Sequence, residues 1–153
     1  MIVSIHQPNY LPWLGFFDKI KRSDLFVIFD DVQFPRGKKH FGHRNQIKTP
    51  NGAKWLSVPI KNKSDMVMFN GTLINYETTW QRDHCNLIKN NYQKTPYFND
   101  YYQDIENIIM TEYKSLDNSL LFFLICFLKK CSNFSSEKLI SREFQSTWAF
   151  ALY

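Results

Sequence analysis

The sequence predicts an α/β fold: a βαβ-type N-terminal sheet with an added hairpin, followed by a helical C-terminal part. Three observations predict it. Two short apolar runs, Ile2–Ile5 and Leu25–Phe29, bracket a stretch whose apolar residues recur at helical spacing. An Asn51-Gly52 pair separates two strand-like segments. Beyond residue 78 the apolar residues fall into segments of helix length.

In chain order, Ile2–Ile5 reads as a buried strand ending at His6, because Pro8 and Pro12 discourage regular structure until Trp13. Trp13–Arg22 reads as a helix, apolar at Leu14, Phe16, Phe17 and Ile20, with basic residues in its last turn where they complement the helix dipole. Ser23-Asp24 breaks it. Leu25–Phe29 is continuously apolar, as a strand covered on both faces would be, and ends in Asp30-Asp31. Strand, helix and strand outline a right-handed βαβ unit. Gln33–Gly42, basic and containing Pro35 and two glycines, reads as a loop carrying Arg36, Lys38, Lys39 and His40. Arg44–Lys48 and Lys54–Ile60 flank the turn Thr49–Ala53, and this hairpin is expected to join the sheet. Thr72–Tyr76 is expected to add a short strand. Thr78–Tyr92, Phe98–Met110 and Ser119–Lys130 read as helices, whereas Ser132–Tyr153 has no clear periodicity and offers no obvious closing element.

The 153 residues suffice for one domain with a real core and are too few for two, so residues 1–153 read as a single domain. Fourteen Phe, eight Tyr and four Trp argue against disorder. A formal charge of +5 suits an anionic small-molecule partner such as a nucleotide sugar. Cys85, Cys126 and Cys131 form neither a disulfide framework nor a paired zinc spacing, so reduced thiols are expected. No signal peptide opens the chain, which points to the cytoplasm. The most apolar stretch, Leu120–Leu128, is far short of the ~20 residues a bilayer span needs and reads as a buried helix. No residue pattern specifies a cofactor, and nothing speaks to the oligomeric state.

The candidate chemistry sits at the predicted strand ends. His6 is suited to general base or ligand work, with Gln7 and Tyr10 in the same loop offering hydrogen bonds and a stacking face. A purely structural histidine is the competing reading. Asp30 and Asp31 are hard oxygen ligands suited to a cation or a ribose hydroxyl, and only one of two adjacent residues faces a given site. A solvated turn explains them equally well. Arg44, followed by Asn45, suits a phosphate or carboxylate through its planar guanidinium, against a surface salt bridge as the bland alternative. His40 and His43 resemble a metal pair only weakly. Trp80 and His84, four apart on one helix face, are explained by core packing. No GxGxxG, Walker or GxSxG motif occurs.

Taken together, the stretches beginning His6-Gln-Pro-Asn-Tyr-Leu-Pro-Trp-Leu-Gly-Phe-Phe, Ser23-Asp-Leu-Phe-Val-Ile-Phe-Asp-Asp-Val-Gln-Phe, His43-Arg-Asn-Gln-Ile-Lys and Trp55-Leu-Ser-Val-Pro resemble the WbqC-like family over residues 1 to 110. The resemblance implies a place in O-antigen or other surface-polysaccharide synthesis, with an acyl or aminoacyl transferase role. His6, Gln7, Tyr10, Asp30, Asp31, Arg44 and Asn45 match the family's motif positions. Members usually continue into a further region, so this chain reads as a C-terminally shortened member.

The leading expectation is a transferase modifying a nucleotide-linked amino sugar, with His6 as general base, Asp30 beside it, Arg44 on the diphosphate or a carboxylate, and Gln7, Tyr10, Asp31 and Asn45 binding substrate. Nucleotidyl transfer is the alternative enzyme reading, weakened by Trp13-Leu-Gly-Phe16 where an HxGH motif would stand. A non-catalytic nucleic-acid-binding module is the third, suggested by the basic loop between Phe34 and Phe41. A short basic run is more often a solvated loop, so nucleic acid is the less favoured partner.

Overall fold

The computed structural model describes residues 1–35, 40–61, 67–131 and 139–140. Arg36, Lys38 and Lys39 of the predicted basic loop, and the chain beyond Ile140, lie outside the described residues.

The N-terminal unit is β1 (Val3–His6), α1 (Leu14–Arg22) and β2 (Leu25–Ile28). β1 and β2 pair in parallel, Ser4 beside Phe26 and His6 beside Ile28. Because side chains alternate across a sheet, Ser4, His6, Phe26 and Ile28 share one face. Phe16 and Ile20 of α1 cover it, and these two with Phe26, Ile28 and Leu124 form a small core. The opposite face is the first departure from expectation. Val3 and Ile5 are 45% and 55% exposed, and β2 alternates between half-buried and buried residues instead of being covered on both sides. A continuous apolar run reports composition, and only the placement of the helices decides which face is buried.

The predicted hairpin forms as β3 (Arg44–Thr49) and β4 (Gly52–Ser57), in register from Arg44 beside Ser57 to Thr49 beside Gly52. Pro50 fixes a negative φ at the first turn position and so bars a type I′ turn, while Gly52 takes the left-handed φ of 99°. Contrary to expectation the hairpin does not join the parallel sheet. It is a separate two-stranded sheet, packed against the helices through Ile47 and Leu56. Thr72–Tyr76 likewise forms no strand: a 3-10 turn, Phe69–Gly71, precedes it, and an isolated bridge joins Ile74 to Ile60. The third strand of the parallel sheet is β5 (Leu139–Ile140), beside β2, in the stretch without recognisable periodicity. Two residues are too few for any period to register.

Helices α2 (Trp80–Tyr92), α3 (Phe98–Met110) and α4 (Leu116–Cys131) follow the predicted segments closely. They build the main core with the hairpin, around Leu56, Phe69, Trp80, Tyr102 and Leu116. Leu124 carries α4 across to the small core under the sheet. Cys85 is buried and Cys126 half-buried, and the side chain of Cys131 lies outside the described residues. Among the described residues no helix is long and apolar enough to cross a membrane.

Candidate functional site

Three loops meet at the carboxyl ends of β1 and β2, where open parallel sheets commonly hold their ligands. Residues 7–13 follow β1, residues 29–35 follow β2, and residues 40–43 lead into β3. The Tyr10 amide donates to the Phe41 carbonyl at 3.0 Å, and the Asn45 amide nitrogen donates to the Leu11 carbonyl at 2.6 Å. The second loop joins through Phe34, whose ring lies 5.1 Å from His40 and 5.4 Å from His43. Phe69, fully buried and 5.2 Å from Phe34, forms the floor.

His6 ends β1, half-buried, its ring edge-on to Phe16 at 5.0 Å. Its Nδ1 lies 2.8 Å from the Gln7 carbonyl. A carbonyl only accepts, so Nδ1 carries the proton and Nε2 is the basic nitrogen. Gln7 thus contributes its backbone, with its half-buried side chain in the same loop. Asp30 follows β2 and is 2% exposed, its carbonyl accepting from the Asn70 amide at 3.2 Å, while Asp31 is half-buried. The cavity beside this edge, between Pro8, Phe16, Ile28 and Leu124, holds only about 10 Å³.

Tyr10 is placed in the main core and not at an open stacking position. It is 5% exposed, with its hydroxyl 2.8 Å from Nδ1 of His84. The Ser57 carbonyl takes the His84 ring proton, leaving Nδ1 to accept from the phenol. Burial holds His84 at about 4, against the opposing pull of Asp83 and Ser57, and pushes the Tyr10 phenol up. This neutral relay ties the first loop, α2 and the end of β4 together. The spacing of Trp80 and His84 foreshadows the packing, with the rings 5.2 Å apart, but not the partner 74 positions away.

Arg44 and Asn45 point to opposite faces of β3, as neighbours in a strand must. Asn45 braces the first loop, and its Oδ1 also accepts from the Gln46 amide at 2.7 Å. Asn45→Ala is expected to cost about 1–2 kcal/mol and to speed hydrogen exchange at the Tyr10 amide, both read in one denaturant series. Arg44 lies with its guanidinium 3.7 Å from the Trp55 ring centroid, and its Nε is buried without a hydrogen-bond partner among the described residues. Trp55 also lies 5.9 Å from Phe41.

His40 and His43, weak candidates by spacing, stand 4.8 Å apart with both Nδ1 atoms buried and without a hydrogen-bond partner among the described residues. Burial lowers His43 to about 4, with His40 and Arg44 adding repulsion, and burial then Arg44 lowers His40. Among the described residues no group of three or more His, Cys, Asp or Glu could hold a metal ion. Nothing in the sequence ties Trp55 to Arg44, because the link is diagonal across the hairpin: Trp55 pairs with Gln46, next to Arg44 on the same face.

A parallel α/β unit with a loop-built edge, carrying a histidine on one strand end and an arginine on a docked hairpin, defines the class of domain. The WbqC-like protein family model matches residues 7–147, and the chain belongs to that family. It is also similar to the uncharacterized protein Rv1507c of Mycobacterium tuberculosis, at 35% identity over 128 residues covering 81% of this chain and 54% of the relative. The chain thus spans about half the length of that relative. No solved structure matches it.

Proposed function

We propose that the chain is a transferase of surface-polysaccharide synthesis that modifies a nucleotide-linked amino sugar by acyl or aminoacyl transfer. The observation that carries this reading is Arg44. A guanidinium 3.7 Å from an indole centroid, with a buried N–H lacking a hydrogen-bond acceptor among the described residues, is suited to a phosphate or carboxylate oxygen. The exposed edges of Phe41 and Trp55 offer a nucleobase a stacking surface beside it. In the proposed reaction the sugar amine attacks the acyl carbonyl of the donor, the new C–N bond replaces the bond to the donor's leaving group, and Nε2 of His6 takes the amine proton. Asp30 supports this strand end, and Gln7 fixes the imidazole tautomer. Tyr10 and Asn45 hold the loop, and Asp31 is the second carboxylate for substrate hydroxyls.

Arg44→Ala is expected to weaken binding of a uridine-diphosphate-linked amino sugar by about 10- to 100-fold, the range for a hydrogen bond to a charged group. Thermal shift and calorimetry would read it, with Lys48→Ala as the control for net charge. Equal affinity in wild type and Arg44→Ala would remove the anion-site assignment. An RNA oligomer that binds more tightly than the nucleotide sugar, and loses affinity steeply with salt, would favour a nucleic-acid module instead.

A further inference from the structure

A second site lies on the other side of the hairpin. Between β3, the first loop and helices α2 and α3 is a cavity of about 310 Å³, walled by Leu11, Ile47, Ile88, Tyr92, Tyr97 and Tyr102. Its tyrosines do not make it polar. The Tyr102 hydroxyl shares its one proton between Glu106 and the Cys85 carbonyl, and the Tyr92 hydroxyl accepts from the Lys48 amide. The polar ends of these two are committed elsewhere, and the cavity meets their rings.

Two further observations mark it. Leu11 and Tyr97, with φ of 46° and 67°, are the only non-glycine residues among those described with positive φ, and both line this cavity. Sparsely populated backbone conformations persist where the surroundings enforce them, and they cluster at ligand clamps. Here Asn45 enforces one of them by holding the Leu11 carbonyl. The second observation is charge: the Lys89 ammonium lies 6.0 Å from the Tyr102 ring centroid, on the helix that supplies Ile88 and Tyr92. Glu106 is the nearby carboxylate, and it is engaged by the Tyr102 hydroxyl.

We propose that this cavity binds an unbranched apolar chain carried on an anionic head, with the chain against Ile47, Ile88 and the tyrosine rings and the head toward Lys89. An apolar cavity of ~150 Å³ accommodates benzene, so one of about 310 Å³ accommodates an apolar group of roughly ten carbons. The inference does not depend on the transferase reading, since the cavity shares no residue with the Arg44 site.

The test is a methyl NMR titration of the isoleucine signals with hexanoate, octanoate and decanoate below their micelle concentrations. Saturable shifts are expected at Ile47, Ile88 and Ile105, which also lines the cavity, with affinity rising about tenfold for every two methylenes added. Ile105→Trp, which fills the cavity, is expected to abolish them. Tyr97→Gly accommodates the left-handed backbone without strain while removing a wall, so it is expected to melt no lower than wild type yet bind decanoate more weakly. That variant keeps the test decisive if Ile105→Trp does not fold. Absence of saturable shifts with decanoate, decanoate affinity unchanged in Tyr97→Gly, or the same shifts on raising protein concentration alone would overturn the proposal, the last by showing a second copy in the cavity.

Discussion

His6→Ala is expected to lower transfer to a nucleotide-linked amino sugar by about 10²- to 10⁴-fold, the usual worth of a positioned general base. Nucleotide-sugar affinity should change far less, because the proposed anion contact is Arg44. The expectation rests on the tautomer. With Nδ1 donating to the Gln7 carbonyl at 2.8 Å, the lone pair is confined to Nε2 at the end of β1. His6→Gln retains bulk and hydrogen bonding without the base and should be as slow as His6→Ala. Quenched-flow mass spectrometry of the acylated sugar would separate the outcomes. Turnover within a fewfold of wild type in both variants would deny His6 a role in proton transfer and leave it as a side chain packed on Phe16.

The fold is expected to lose stability as pH falls from about 6.5 to 4, with His84 as the largest histidine contributor. Its folded pKa, about 4, lies below the ordinary histidine value of 6.5. Between those two values the unfolded chain takes up a proton that the folded chain refuses, so acid favours unfolding there, and the effect levels off below about pH 4. At about 1.4 kcal/mol per pKa unit, the full shift at His84 is worth about 3 kcal/mol. His43, shifted in the same direction but partly exposed, contributes less. Urea midpoints measured at intervals from pH 7.5 to 4 would show the decline. In His84→Gln the curve should start lower, since the Tyr10 and Ser57 contacts are disturbed, and run flatter between pH 6.5 and 5. Parallel curves for the two proteins would mean that His84 is not the group being titrated.

The cost of neutralising His84 has a structural return. The ring joins Tyr10 of the first loop to the Ser57 carbonyl at the end of β4, within the main core. A buried polar network that is fully satisfied fixes one arrangement of the elements it joins, because any other leaves its members without partners. Together with Asn45 on the Leu11 carbonyl, it holds the loop that follows His6 against the hairpin that carries Arg44. The proposed base and anion contact are thus supported by groups that touch neither reactant.

The sequence by itself determined the local elements of this protein. Periodicity marks α2, α3 and most of α4; Pro8, Pro12 and Ser23-Asp24 punctuate the βαβ unit; and Asn51-Gly52 marks the hairpin. These signals are legible because they depend on residues within one or two turns of each other. The family was legible for the same reason, through contiguous motifs. Tertiary structure alone decided that the hairpin stands apart from the parallel sheet, that β1 leaves Val3 and Ile5 in solvent, and that β5 closes beside β2. It also turned Tyr10 inward to His84, laid Arg44 on Trp55, and opened a cavity between Leu11 and Tyr97. Each of these depends on which distant surfaces meet, and burial, partner choice and pKa follow from that meeting and not from the order of residues along the chain.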